Sequence, residues 1–261
     1  MEDVLTRIIA AKRIEVEQQK MTKSLATLCA EVEGLPLHAK RSMKTSLASS
    51  ASGIIAEFKR RSPSKGWINE SAEADVIPPA YAAAGASALS ILTDEEFFGG
   101  SLRDLEVARP LVDIPIIRKE FIIDEYQLYQ AKLVGADAVL LIAAALSVDE
   151  CRSLCLKAQE LGLEVLLELH AESELEYVTP NVDMVGINNR NLGTFHTDVA
   201  NSFRMAELLP KDMVRVSESG ISDPATVSEL RKAGFAGFLI GENFMRTDEP
   251  GESLKQFIEG I

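Results

Sequence analysis

From Gly53 onward, apolar runs of five or six residues alternate with amphipathic stretches. The runs Ile54–Lys59, Ala88–Thr93, Pro115–Glu120, Ala138–Ala143, Glu164–Leu169, Met184–Asn188, Met213–Glu218 and Gly237–Gly241 are predicted strands. They are nearly continuous in Val, Ile, Leu and Ala, the pattern of strands buried on both faces of a parallel sheet. Between them lie helical patterns such as Ser147–Leu161, where Ser147 and Glu150 have capping-box spacing. Gly135, Gly162 and Gly234 fall where helices should end. Eight strand–helix units in this length predict an α/β fold, a (β/α)8 barrel, over residues 51–261. A doubly wound open sheet is the alternative, but no G-x-G-x-x-G follows any strand.

Residues 1–50 stand apart. Val4–Lys20 reads as a charged amphipathic helix, Ser24–Glu33 as a shorter one, and Ser42–Ser52 as a Ser-rich connector. This segment is expected to cap the barrel as a helical extension of a single domain.

Composition narrows the function. A net charge of −13 over 261 residues excludes the broad basic face that nucleic acid or a membrane surface requires. The start Met1-Glu2-Asp3-Val4 lacks a signal peptide's basic and apolar regions, and Ala138–Leu146 is too short to span a bilayer, so a cytoplasmic location is expected. Cys29, Cys151 and Cys155 suit no paired disulfide framework. His38, His170 and His196 show no metal-ligand spacing, so no metal is expected, though His170 follows Glu168 closely enough to reach a site's rim.

The charges that remain fall at strand ends, where barrels carry their chemistry. Glu57 and Lys59 share one face of the first strand, and Lys119 ends the third. Glu168 ends the fifth, Asn188 and Arg190 the sixth, and Glu218 and Ser219 the seventh. A single charged strand end usually marks only where a strand surfaces. Glu57, Lys59, Lys119, Glu168 and Arg190 together make three cations and two anions, a net +1 mouth suited to an anionic small molecule. Ser219-Gly220 and Gly241-Glu242 follow the last two strands, where barrels bind phosphate through backbone N–H groups and a helix N-terminus.

The stretches "AEFKRRSPSKG", "LTDEEFFGGS", "RKEFIIDEYQ", "GADAVLLI", "GINNRNL", "SESGI" and "FLIGENFMR" resemble, in order, the signatures of the indole-3-glycerol phosphate synthase family. The resemblance covers the barrel and its N-terminal extension, and no second barrel follows, as in the monofunctional form. It implies ring closure, decarboxylation and dehydration of 1-(2-carboxyphenylamino)-1-deoxyribulose 5-phosphate in tryptophan biosynthesis. No cofactor is implied, and other enzymes of that route are the implied protein partners. Carried over, Lys119 is the general acid and Glu168 the general base with Lys59 as partner acid; lying among the cations Lys59 and Arg190, Lys119 is expected to have a lowered pKa. Glu57 and Asn188 orient these groups, and Arg190 lies near the substrate carboxylate and Glu57. Ser62, Ser219, Gly220, Gly241 and Glu242 match the phosphate end, while Phe98 and Leu141 are candidate walls for the aromatic ring. Asn191, Ser217 and Trp67 depart from the family's usual residues. A Schiff-base barrel aldolase and a non-catalytic sugar-phosphate-binding barrel are the competing readings.

Overall fold

The structure is a computed structural model that describes residues 4–36, 41–191 and 193–261, so His38 lies outside the described residues. Among the described residues a short hairpin pairs Arg61–Ser62 with Gly66–Trp67, and eight further strands form the barrel in chain order: β1 Ile54–Phe58, β2 Ala88–Leu92, β3 Ile116–Lys119, β4 Ala138–Ile142, β5 Glu164–Leu169, β6 Met184–Asn188, β7 Val214–Glu218 and β8 Gly237–Ile240. Each pairs in parallel with its sequence neighbours, and β1 also pairs with β8, closing a barrel. The predicted parallel barrel is therefore the observed one.

Strand alternation sorts the side chains into two layers. Ala56, Leu89, Val139, Leu141, Val165, Leu167 and Ile187 face outward into the layer shared with the helices. Ile55, Ala88, Ile117, Leu140, Leu166, Met184, Val216 and Leu239 face inward and fill the barrel's interior. The runs are continuous in apolar residues because both layers are dry.

Helices Ile77–Ala83, Leu102–Ala108, Glu125–Leu133, Val148–Glu160, Ala200–Ala206, Pro224–Lys232 and Pro250–Glu259 surround the barrel. The fifth connection holds only the short 3-10 helix Glu172–Tyr177. Ser147 and Glu150 form the expected capping box, and Gly135, Gly162 and Gly234 adopt the left-handed backbone that ends helices.

The extension divides between the two ends of the barrel. Helix α1 (Val4–Thr22) buries Leu5, Ile8, Lys12 and Val16 along one stripe, and α2 (Leu25–Glu33) packs Leu28 beside Val16 and Tyr126. The connector expected over Ser42–Ser52 is instead a helix, α3 (Met43–Ser49), capped by Ser42. Met43 and Leu47 plug the barrel floor among Ile55, Ile117, Met184 and Val216, while Ser42 Oγ and the Lys44 N–H bond the Glu164 carboxylate. Serine content marked the caps and obscured the two apolar residues that needed a core.

Candidate active site

The C-terminal ends of the strands enclose a cavity of about 540 Å3. The alternation that places Ile55, Ile117, Leu166 and Val216 inside carries Glu57, Lys119, Glu168 and Glu218 onto the same inner face one step nearer the mouth. All except Glu218 line the cavity, joined by Lys59, Asn188 and Arg190. Helix α1 contributes Val4, Leu5 and Ile8 to the lining. The extension thus forms one wall, a role signalled in sequence only by the apolar spacing of Leu5 and Ile8.

Glu57, 2% exposed, pairs with Lys59 and, at 2.9 Å, with Lys119 Nζ. Burial alone would raise its pKa; the two lysines outweigh burial and hold it at about 2. Lys119 Nζ also lies 3.4 Å from Glu218 Oε2. Glu168 Oε1 accepts a 3.1 Å bond from Asn188 Nδ2, and His170 Nε2 stands 3.2 Å from the same oxygen. Against the cost of burial, His170, Lys119 and Asn188 hold Glu168 below the usual carboxylate range. Glu218 goes the other way, up to about 8, because burial and the Glu168 charge outweigh Lys119. Two neighbouring carboxyls thus have their pKa values driven apart, as acid and base roles require.

Several sequence expectations need correction. Lys119 was expected to have a lowered pKa among cations. Burial does lower it, but Glu57, Glu218 and Glu168 outweigh burial and raise it. Arg190 was expected near Glu57; its side chain instead approaches Thr197 Oγ1 at 3.4 Å and Glu242 Oε2 at 3.8 Å. Leu141 was a candidate wall of the cavity, but strand alternation turns it outward, and Leu140 and Ile142 line the cavity instead. Phe98 does line it, 5.8 Å from the Phe121 ring.

Ser62, Ser219, Gly220, Gly241 and Glu242 all lie along the cavity. Ser219 (φ 68°) and Gly220 (φ 78°) are both left-handed, a costly conformation for serine held by the Asn189 amide on the Ser219 carbonyl. A Cβ at Gly220 would meet Thr197 at 2.6 Å. The absence of a Cβ at Gly241 serves a different neighbour, because an added one would strike Glu57 Oε1 at 2.5 Å. Lys65 and Arg246 line the same cavity and add positive charge to this end. Arg246 ends the short helix Glu242–Met245, so its four-residue spacing from Glu242 was the available signal.

Gly186 was missed altogether: a Cβ there would fall 2.2 Å from Glu218 Oε1. A lone glycine inside the run "MVGIN" is the usual mark of such a close approach. The unusual residues have local uses. Ser217 Oγ accepts from Asn189 Nδ2 and meets Ser202 Oγ, and Asn191 Oδ1 caps the turn at Gly193 and Thr194. Trp67 is half exposed, with the Arg61 guanidinium over its ring.

A closed parallel barrel with ionisable groups converging at its C-terminal mouth is the architecture of the (β/α)8-barrel enzymes. Two solved structures share the fold at 14% identity. Thiamine phosphate pyrophosphorylase from Pyrococcus furiosus matches with a TM-score of 0.59, covering 84% of this chain and 98% of that one. The tryptophan synthase complex of the same organism matches at 0.60, covering 80% and 97%. The model of the indole-3-glycerol phosphate synthase family matches residues 5–257. An indole-3-glycerol phosphate synthase of Bacteroides thetaiotaomicron is 66% identical over all 261 residues and its own full length. One from Burkholderia vietnamiensis is 44% identical over 256 residues, 97% of this chain and 98% of that protein. The chain belongs to the indole-3-glycerol phosphate synthase family.

Proposed function

We propose that the chain converts 1-(2-carboxyphenylamino)-1-deoxyribulose 5-phosphate to indole-3-glycerol phosphate, carbon dioxide and water, in tryptophan biosynthesis. The observation that carries the reading is that Lys119 and Glu168 line one cavity, the first protonated and the second ionised.

Ring closure needs a proton at the ketone oxygen as the aromatic carbon attacks. Lys119 supplies it. Its raised pKa keeps the proton in place until an alkoxide, a far stronger base, develops beside it. Decarboxylation then sends the electron pair into the substrate's own iminium and restores the aromatic ring. Loss of water follows, with Glu168 removing the proton and Lys59 protonating the departing hydroxyl. Glu57 holds both lysines, and Asn188 orients Glu168. Arg190 offers a planar fork to the substrate carboxylate. The phosphate lies at Ser62, Ser219-Gly220 and Gly241-Glu242, with Lys65 and Arg246 adding positive charge.

A lysine held protonated is a poor amine nucleophile, which favours acid–base chemistry over a Schiff-base aldolase. Among the described residues no helix is long and apolar enough to cross a membrane. A cytoplasmic location and contact with other enzymes of the same route belong to this proposal.

The test is the fluorescence of indole product formed by purified protein from synthetic substrate, with a parallel incubation in the imine-selective reductant cyanoborohydride after which the protein is weighed by mass spectrometry. Product without any covalent substrate–lysine adduct is expected. Absence of product, or a reduced substrate adduct on the protein, would overturn the reading.

A further inference from the structure

The ionic groups of the mouth are unevenly shared. Glu57 has two lysines, and Glu218 has Lys119 at 3.4 Å. Glu168, the proposed base, has no lysine or arginine within ion-pair distance among the described residues. Among the described residues the one basic side chain at that range is His170, whose Nε2 stands 3.2 Å from Oε1. The imidazole does not line the cavity and is only 12% exposed. Both its ring nitrogens are buried without an aligned hydrogen bond.

Its backbone, by contrast, is fixed on both sides. The His170 N–H donates to Glu174 Oε2 at 2.5 Å, and its carbonyl accepts from Asn201 Nδ2 at 3.2 Å. The ring is therefore held behind Glu168 by groups that take no part in the proposed chemistry.

We propose that His170 is a positioning residue: as an imidazolium it is the counter-charge of Glu168, keeping that carboxyl ionised and leaving the cluster's proton on Glu218. The inference rests on the acid–base reading above and deepens it.

The carboxyl groups that face the ring come from three elements. Glu168 comes from β5, Glu174 from the 3-10 helix Glu172–Tyr177, where Oε2 lies 3.9 Å from Nδ1, and Glu218 from β7. Asn188 from β6 is neutral and donates to the same Glu168 oxygen; the cation Lys119 from β3 acts on Glu168 from the cavity side. Burial opposes a charged imidazole, and Glu168 at hydrogen-bond distance, with Glu174 beside it, outweighs burial and raises its pKa. A cation beside a carboxylate lowers the carboxylate's pKa, so removing that cation must raise it.

His170→Gln tests this, since glutamine keeps a donor near Nε2 and cannot ionise. In the variant the acidic limb of the kcat–pH profile should move up by about one pH unit, with KM within about two-fold of wild type. At pH well below the limb, kcat should fall roughly tenfold; at high pH it should approach wild type. A merely structural histidine would alter kcat or KM without moving the limb, and an unmoved limb would overturn the inference. A second measurement needs no substrate: imidazole titration by NMR, made simple by a chain with only three histidines. Glu168→Gln should drop the His170 pKa by at least about half a unit, and an unchanged titration would also overturn the inference. Wild-type protein without indole product would sink the functional reading instead, leaving the NMR titration to decide the His170–Glu168 pair.

Discussion

Strand β3 carries a buried ionic cluster on each of its two sides, and the two differ in how completely they are satisfied. Inside the barrel, Lys119 joins Glu57, Lys59, Glu168 and Glu218. On the outer side Arg118, with Glu120 just past the strand at the cavity's edge, joins Lys12 of α1, Asp94 and Thr93. In the outer cluster Lys12 Nζ is within 3.1 Å of Glu15, Asp94 and Glu120. Arg118 donates to Thr93 Oγ1 and the Gln127 carbonyl, and Thr93 donates to Glu120 Oε2. Asp94 Oδ1 accepts from the N–H groups of Phe97 and Phe98. No polar side-chain atom of that cluster is an orphan. In and beside the inner cluster, Glu218 Oε1 and both His170 nitrogens are buried without a hydrogen bond. Charges that are fully paired fasten one element to another; in the inner cluster Glu57, Lys59, Lys119 and Glu168 line the cavity, where a substrate can exchange contacts with them.

The largest effects should separate the clusters by kind. Lys119→Met is expected to lower kcat by about 10²–10⁴-fold with a native circular dichroism spectrum. Near-normal turnover would remove Lys119 from the chemistry. Lys12→Met should do the reverse. It takes the lysine from between two buried carboxylates, leaving Glu120 with Arg118 and Thr93, and Asp94 with backbone N–H donors alone, a loss of about 3 kcal/mol measurable by denaturant unfolding. Because Asp94 also holds the backbone at Phe98, KM should rise more than kcat falls. A Lys12 variant of unchanged stability would show that the outer cluster is not the fastening it resembles.

Two glycines give the next test. Ala at Gly241 places a Cβ against Glu57, whereas Ala at Gly220 strains a left-handed turn beside Thr197. Gly241→Ala should therefore act mainly on kcat, by roughly tenfold, through displacement of the carboxylate that holds both lysines. Gly220→Ala should act mainly on KM for the phosphorylated substrate and leave binding of an analogue without phosphate nearly unchanged. Equal kcat losses in the two variants would erase the distinction.

The inner cluster was far more legible in sequence than the outer one. Glu57, Lys119 and Glu168 each end an apolar run, and alternation alone turns them inward with Ile55, Ile117 and Leu166. Leu141 was misread because an apolar run looks the same on both faces; only the register against β5 and the helix layer assigns Leu140 to the cavity. The outer cluster depends on tertiary docking. Lys12 lies mid-helix in a charged stretch, and nothing nearby in sequence indicates that Asp94 and Glu120 will bury it. The same holds for Met43 and Leu47, whose core is formed by residues from the rest of the barrel, and for Lys119, whose pKa follows carboxylates brought together from three other strands.

The smallest expected effect is one of pH, and it opposes the two members of the inner cluster that sequence alone could not tell apart. Glu57 has a depressed pKa, so the stability it contributes is present above its ordinary value of 4.5 and is lost as pH falls toward about 2. Glu218 has a raised pKa. Above 4.5 the unfolded chain ionises this carboxyl while the folded one keeps its proton, so stability declines as pH rises from 4.5 through about 8. Glu218→Gln cannot ionise in either state and should abolish that decline. The variant should gain on wild type as pH rises between 6 and 8, by at most about 1.4 kcal/mol per pH unit, as read from guanidinium unfolding midpoints. Above pH 9 the gap should stop widening, because wild-type Glu218 is then ionised in both states. Parallel stability curves for variant and wild type over this range would mean that Glu218 is already a carboxylate at neutral pH. The inner cluster would then hold three negative charges against two lysines, and the proton assigned to Glu218 would have to be sought on another group of the mouth.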